Sequence, residues 1–350
     1  MTEEPTSHPM RQERIQEGPG RVAPSARKAR KARRLAAKKN NQMPVVAPVE
    51  GPAATRVVEG ELQSPAPDSG LVGALQRPYL IRLIVRRELA RMYSASILGL
   101  LWSYVQPAIR FGVYFVVFGY LLNMHKDVPD FAIHLFCGIV FVHYFSETFS
   151  GGTRSIWLNR RLVQKMAVPR EVFPLSSMLV AMFHTLPQLL LLAFFSFISG
   201  WSIDPLGAAS GLLGLLIIMA FSMAMALIFS AVNVYYRDFQ NIVHTITQFM
   251  HFLVPMMYPA HRVMQHAEAH PVIYQLYMAN PVADAVMLLQ RFFWYPVAKQ
   301  NASGKAQELS LLFPDHLLQR GLITLVACLG LLWFGQRLFR RLEKKFPERL

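Results

Sequence analysis

The stretch NVYYRDFQN, residues 233–241, interrupts an oily chain, with ALIFSAV (226–232) before it and IVHTITQF (242–249) after it. Arginine and aspartate each cost roughly 2.5–3.5 kcal/mol at the centre of a membrane helix. Arg237 and Asp238 therefore mark a short turn outside the hydrocarbon, and the apolar runs on either side read as membrane spans. Working outward, a sliding apolar window gives about six such spans. They cover Tyr104–Met124, Phe131–Ser150, Phe173–Gly200, Leu206–Val232, Phe239–Tyr258 and Leu317–Phe334.

Composition agrees with the membrane reading. Of 350 residues, 53% are hydrophobic and only 16% charged, and mean hydropathy is +0.27. The runs are long and continuously apolar, whereas barrel strands alternate over about ten residues. The expected fold is thus all-α and polytopic. The net charge of +15 sits where it reports orientation. Arg154, Arg160, Arg161, Lys165 and Arg170 follow the second span, and a basic cluster from Arg337 to Arg349 follows the sixth. The opposite loops, NMHKDVPD and GWSIDP, offer Lys126 alone. The positive-inside rule places the basic loops and both termini in the cytoplasm. The charge is therefore topological, and nucleic acid is not an expected partner. Cys137 and Cys328 lie inside predicted spans, which argues against a disulfide framework and against a metal site.

Residues 1–70 are rich in Pro, Ala, Arg, Lys and Glu, and are expected to form a disordered basic tail ahead of a membrane domain at 71–350. Its dense block, RKARKARRLAAKK (27–39), reads either as a solvated tail that helps set topology or as a segment lying on an anionic leaflet. In PYLIRLIVRRELARMYSAS (78–96), Leu80, Ile81, Ile84, Val85, Leu89 and Met92 share one face, with arginines around the other. This predicts an amphipathic helix at the cytoplasmic interface. In PVADAVMLLQRFFWYP (281–296), Val282, Val286, Leu289 and Phe293 recur at helical spacing. That pattern predicts a short outer helix, interfacial or re-entrant, with Trp294 and Tyr295 at interface depth. Asn301-Ala302-Ser303 matches a glycosylation sequon, a match that chance explains.

Three stretches together resemble the membrane subunits of ABC-type polysaccharide exporters, the family that exports O-antigen, teichoic acid and related glycans. RRELARMYSASILGLLWSYVQP (86–107) is similar through Arg87, Glu88, Tyr93, Ser96, Gly99, Trp102 and Pro107, although Met92 stands where the family usually has a basic residue. NRRLVQKMAVPREVFP (159–174) is similar through Asn159, Leu162, Lys165, Pro169, Arg170 and Pro174. NVYYRDFQNIVHTITQFMHFLVPMMYP (233–259) is similar through Asn233, Tyr236, Arg237, Asp238, Gln248, Pro255 and Tyr258, and Asn280-Pro281 also fits.

The resemblance implies a homodimeric permease in the cytoplasmic (inner) membrane. It would move a polyprenyl-linked polysaccharide, such as an O-antigen-like glycan or cell-wall galactan. Two copies of a separate cytoplasmic subunit would bind ATP and Mg. No phosphate loop of the form G-x-x-x-x-G-K-[ST] occurs here, since Gly304-Lys305 lacks the earlier glycine. This chain is therefore expected to be neither an enzyme nor the holder of a cofactor. The family's coupling helix would lie within Arg154–Arg170, through Ile156, Trp157, Asn159, Arg161, Leu162 and Lys165. The competing reading is that these cations only obey the positive-inside rule.

Arg110 lies inside a predicted span, which makes it a candidate for receiving the carrier's pyrophosphate, unless it snorkels to the interface. Tyr114, Tyr144 and Phe252 are candidates to line a sugar path. His143 and Glu147, one turn apart, with His184, His244 and His251, raise a metalloenzyme reading, but no H-E-x-x-H spacing supports it. The alternatives in transport are an ABC efflux permease for a small lipid or drug and a carrier that runs without ATP.

Overall fold

A computed structural model describes residues 70–94, 96–165, 168–265, 271–301, 312–314 and 316–349. The expected tail with its basic block, the end of the sequon and the Gly304-Lys305 pair lie outside the described residues, as does the test of a boundary at residue 70. Among the described residues every regular element is helical.

The chain begins with α1 (Gly70–Leu75) and α2 (Pro78–Tyr93). A 3₁₀ turn, Gly99–Leu101, leads into α3 (Trp102–Tyr114), which continues as a π-helical segment, Phe115–Leu121. Then come α4 (Met124–Asp127), α5 (Phe131–Leu158), α6 (Arg160–Lys165), α7 (Val172–Ile198), α8 (Pro205–Tyr235) and α9 (Phe239–Met250). The chain closes with α10 (His261–Met264), α11 (Pro271–Met278), α12 (Pro281–Asn301), α13 (Leu317–Glu343) and α14 (Phe346–Arg349).

Among the described residues five helices are long and apolar enough to cross a membrane: Gly99–Leu121, α5, α7, α8 and α13. The expected fifth span, Phe239–Tyr258, runs along α5 from Trp157 to His134 but is not one continuous helix. Helix α9 stops at Met250 and the chain turns repeatedly as far as Ala260. Pro255 and Pro259 explain the break, because proline removes an amide donor and disfavours helix in the residue before it. Inside a bilayer such irregular backbone needs protein partners. Here the Gln290 side chain donates to the Pro255 carbonyl at 2.8 Å, and the Asn280 side chain donates to the Leu253 carbonyl at 3.3 Å.

Of the two readings of the segment at 281–296, burial favours the re-entrant one over the interfacial one. Helix α12 packs into the bundle against α5 and α8, with Val282, Val286, Trp294 and Val297 buried. Trp294 is buried against the loop that precedes α5. Its indole nitrogen donates to the Pro129 carbonyl at 2.7 Å. Glycines of α8 let this helix sink in: a Cβ on Gly214 would overlap Ala285, and one on Gly211 would overlap Phe292.

Helix α5 is the axis of the bundle: 72% of its most apolar stretch is buried, against 6% for Gly99–Leu121. One core cluster joins α5, α8 and α12. A second, at the basic end, joins α1, α2, the end of α5 and the starts of α7 and α14 through Ala74, Ile81, Ile156, Phe173 and Phe346. The amphipathic α2 is present as expected, with Ile81 and Ile84 buried, while Met92 is exposed.

Small residues set the closest approaches, as in other membrane bundles. A Cβ on Gly152 of α5 would overlap Ala226 of α8, and one on Gly138 would overlap Met256. At Gly330 of α13 nothing stands nearby. Gly152→Leu is therefore expected to cost about 1–3 kcal/mol or more by overpacking, and Gly330→Leu to stay within about 0.5 kcal/mol of the parent. Thermal unfolding of detergent-solubilised protein reads the difference. Equal losses for the two variants would contradict the close α5–α8 contact.

Candidate functional site

Glu147 lies on α5 within the membrane-spanning bundle, where an acid needs a partner. His184, on the adjacent α7, supplies it: His184 Nδ1 is hydrogen-bonded to Glu147 Oε1. That bond fixes the tautomer if the ring is neutral, leaving Nε2 as an acceptor. Tyr93, at the end of α2, fills the role at 2.6 Å, and its hydroxyl is also 2.6 Å from Ser103 Oγ on α3. Burial raises the Tyr93 phenol above its usual pKa, so it remains a donor at neutral pH.

The network continues from α5 to α7. His143, one turn before Glu147, is 3.9 Å from Glu147 Oε2. Gln188 donates to the His184 carbonyl at 3.1 Å and lies 3.4 Å from His143 Nδ1. The sequence reading paired Glu147 with His143 because the two are one turn apart. The tighter partner is on another helix, and the signal that pointed to it was the lone acid in an apolar span.

A second polar pair lies where α3 meets the end of α9. Arg110 donates to His251 Nε2 at 2.7 Å, and His251 Nδ1 donates to the Thr247 carbonyl at 3.0 Å. The Tyr114 ring meets His251 edge-on at 6.5 Å. Phe252, next in sequence, is 57% exposed. Arg110, Tyr114 and Phe252 thus gather in one region. Tyr144 does not join them. It is 1% exposed and packed in the main core, on the bundle's central helix. His244 is exposed and meets Gln248 at 3.0 Å, apart from this group. Among the described residues no three His, Cys, Asp or Glu side chains converge as metal ligands.

At the basic end, the turn that opened the sequence reading meets α5. Trp157 lies between two guanidiniums, Arg160 at 4.4 Å and Arg237 at 5.3 Å from its ring centroid. Such stacking suits arginine at an exposed site. Asn233 donates to the Thr153 carbonyl at 3.2 Å, and Asp238 precedes the first turn of α9. The six residues expected to couple to an ATPase divide. Ile156 is fully buried in the chain's own core. Asn159, 4% exposed, donates to Glu88 Oε1 at 3.1 Å. Both hold α2 and α6 in place and have no free surface for docking. Arg161 and Lys165 are exposed and Leu162 is half-buried. Leu158, which the sequence reading passed over, is also exposed; its place in the apolar run Ile156-Trp157-Leu158 was the available signal.

Of the remaining motif residues, Arg87 is exposed. Ser96 Oγ accepts from the Gly99 amide at 3.1 Å, and Gly99 has a φ of +49°, which suits glycine in this turn. Trp102 is 45% exposed at the start of α3.

Removing the acid from the network should cost more than removing one hydroxyl. Glu147→Leu leaves His184 Nδ1 without its acceptor and is expected to destabilise by ~3 kcal/mol, against ~1 kcal/mol for Tyr93→Phe. Denaturation midpoints in detergent check the order, and a reversed order would show that Glu147 does not anchor the chain of bonds.

The chain matches the ABC-2 type transporter family over residues 79–291, a region that contains the Tyr93–His184–Glu147 network, the Arg110–His251 pair and the Trp157 stack. It is 26% identical over 273 residues to the O-antigen export system permease protein RfbA of Myxococcus xanthus, covering 77% of this chain and 94% of that one. Two RfbA proteins of Klebsiella pneumoniae are 23% identical with the same coverage. The helical bundle, its five long apolar helices and the family match over most of the chain agree: the protein belongs to the ABC-2 type transporter family, as a membrane permease subunit.

Proposed function

We propose that this permease exports a polyprenyl-linked polysaccharide of the O-antigen or cell-wall galactan kind across the cytoplasmic membrane, as a homodimer driven by two copies of a separate ATP-binding subunit. One observation carries the reading: Gly99–Leu121 bears Arg110 and Tyr114, yet only 6% of its apolar stretch is buried within the chain. Arg110 is held by His251 but only half-buried, and a cation left partly open to hydrocarbon is costly; a second copy across a hydrated path removes that exposure. The names of the RfbA relatives support a glycan as the cargo. Aromatic faces at Tyr114 and Phe252 could stack on sugar rings and let them slide, while Arg110 pairs with the carrier's pyrophosphate. The basic loops and both termini face the cytoplasm in this reading.

The ATPase would dock at α6 and the end of α5, where Leu158, Leu162, Arg161 and Lys165 offer a small apolar patch rimmed by cations. Trp157 supports this surface from behind through its two arginines. An apolar centre within a polar rim is the usual form of an interface hot spot. Nucleotide and Mg would be held by the partner.

Depleting the protein in its host should leave intact polyprenyl-linked glycan on the inner face, unreachable by surface probes. Unchanged glycan on both faces would refute polysaccharide export and favour efflux of a small lipid. Arg110→Gln is expected to abolish glycan stimulation of the ATPase while the complex still assembles; unaltered stimulation would remove Arg110 from the substrate path. Arg161→Glu combined with Lys165→Glu should weaken co-purification of the ATPase about tenfold, the effect of ~1.4 kcal/mol. Full retention would place docking elsewhere.

A further inference from the structure

Leu329, Trp333, Arg337 and Arg341 follow one another at i, i+4 spacing and so stand in a row along one face of α13. The row passes from aliphatic to aromatic to cationic towards the basic end. From Leu329 to Arg341 it extends ~18 Å at 1.5 Å per residue, about the depth of one leaflet of a ~30 Å hydrocarbon core with its headgroups. Opposite it, Leu71 and Val72 of α1 complete a cavity of about 690 Å³, within the ~300–1,000 Å³ range usual for small-molecule sites.

Both faces of the groove are open. Leu329 is 50% exposed, Trp333 66% and Val72 67%. Arg337 lies over the Trp333 ring at 5.6 Å. Arg340 lies against Gly70 at the start of α1, and Arg341 and Lys344 continue the rim. The acid on the rim is Glu343, whose backbone carbonyl accepts from Arg170. Four cations therefore surround one acid above an apolar floor.

We propose that this groove binds an anionic glycerophospholipid from the surrounding leaflet. Its phosphate would sit among Arg337, Arg341 and Lys344, and an acyl chain would lie along Trp333 and Leu329. Guanidiniums match phosphate in charge and in paired hydrogen-bond geometry. Basic pockets beside membrane helices suit such headgroups, and each cation near an anionic surface adds attraction. The positive-inside rule requires cations beyond the end of a span, but it does not require an aromatic and an aliphatic residue aligned beneath them beside a cavity. A second membrane helix is a poorer occupant, because close helix packing uses small residues and this face presents Leu, Trp and Arg. The groove shares no residue with the Arg110–His251 region or with the docking surface at α6, so its occupancy is separable from transport.

The test is native mass spectrometry of the full-length protein released from nanodiscs of phosphatidylcholine with or without phosphatidylglycerol. The parent should retain phosphatidylglycerol in preference to phosphatidylcholine. Arg337→Gln combined with Arg341→Gln should weaken that retention about tenfold, and Trp333→Ala should weaken it less. All three side chains are exposed, so the unfolding midpoint in phosphatidylcholine alone should stay at the parent value and separate lost binding from lost folding. Equal retention of phosphatidylglycerol by parent and double variant would overturn the proposal, as would equal retention of the two lipids by the parent. Displacement of the lipid by inorganic phosphate at matched concentration would reduce the groove to a simple anion site and overturn it too. Disulfide-linked copies of Val72→Cys would instead put a second chain in the groove, with the same consequence.

Discussion

A carboxylate inside a bilayer has to be paired, and in this chain that requirement ties four helices together. Glu147 on α5 bonds His184 on α7, His184 bonds Tyr93 at the end of α2, and Tyr93 meets Ser103 at the start of α3. Hydrocarbon offers no competing partner, so the bonds form where the side chains first meet. The result is a polar thread through the bundle from the interfacial helix to its central axis. Apolar packing between α5 and α8 can then be tight without also having to set the position of α2.

The basic end is built by a different kind of contact. Trp157 between Arg160 and Arg237 joins the end of α5 to the turn between α8 and α9. Asn159 joins the same corner to Glu88 on α2, and Glu88 in turn pairs with Arg91 at 2.6 Å. Displacement of α6 would therefore be felt at both α2 and the Arg237-Asp238 turn. Those two elements lead into α3, which carries Arg110, and α9, which ends just before His251. The corner consists of short, directional polar contacts around a rigid ring.

Much of this architecture was legible in the residues. The five long helices among the described residues overlap the expected apolar runs and extend several of them, α2 is amphipathic as its arginines demanded, and the Arg237-Asp238 turn lies where charge could not be buried. Two segments were read less finely: a hydropathy window counts apolar residues and does not register that Pro255 interrupts the fifth crossing or that Gly207, Gly211 and Gly214 of α8 let α12 approach closely. Among the candidate site residues, Arg110 and Tyr114 could be identified as polar groups in a span. Tyr144 could not be told apart from them, because an aromatic in a central helix and one in a peripheral helix have the same local pattern.

By itself the sequence determined which segments lie in hydrocarbon, which end carries the positive charge, and that the few polar groups left inside had to have partners. These are properties of transfer from water to lipid, and they are summed residue by residue. Only the tertiary structure decided who those partners are. It matched Glu147 with His184 in place of His143, gave Arg110 to His251, and turned Ile156 and Asn159 inward. A partner is a matter of distance between helices, and that distance is set by where glycines such as Gly138 and Gly152 allow close approach, which no single segment encodes.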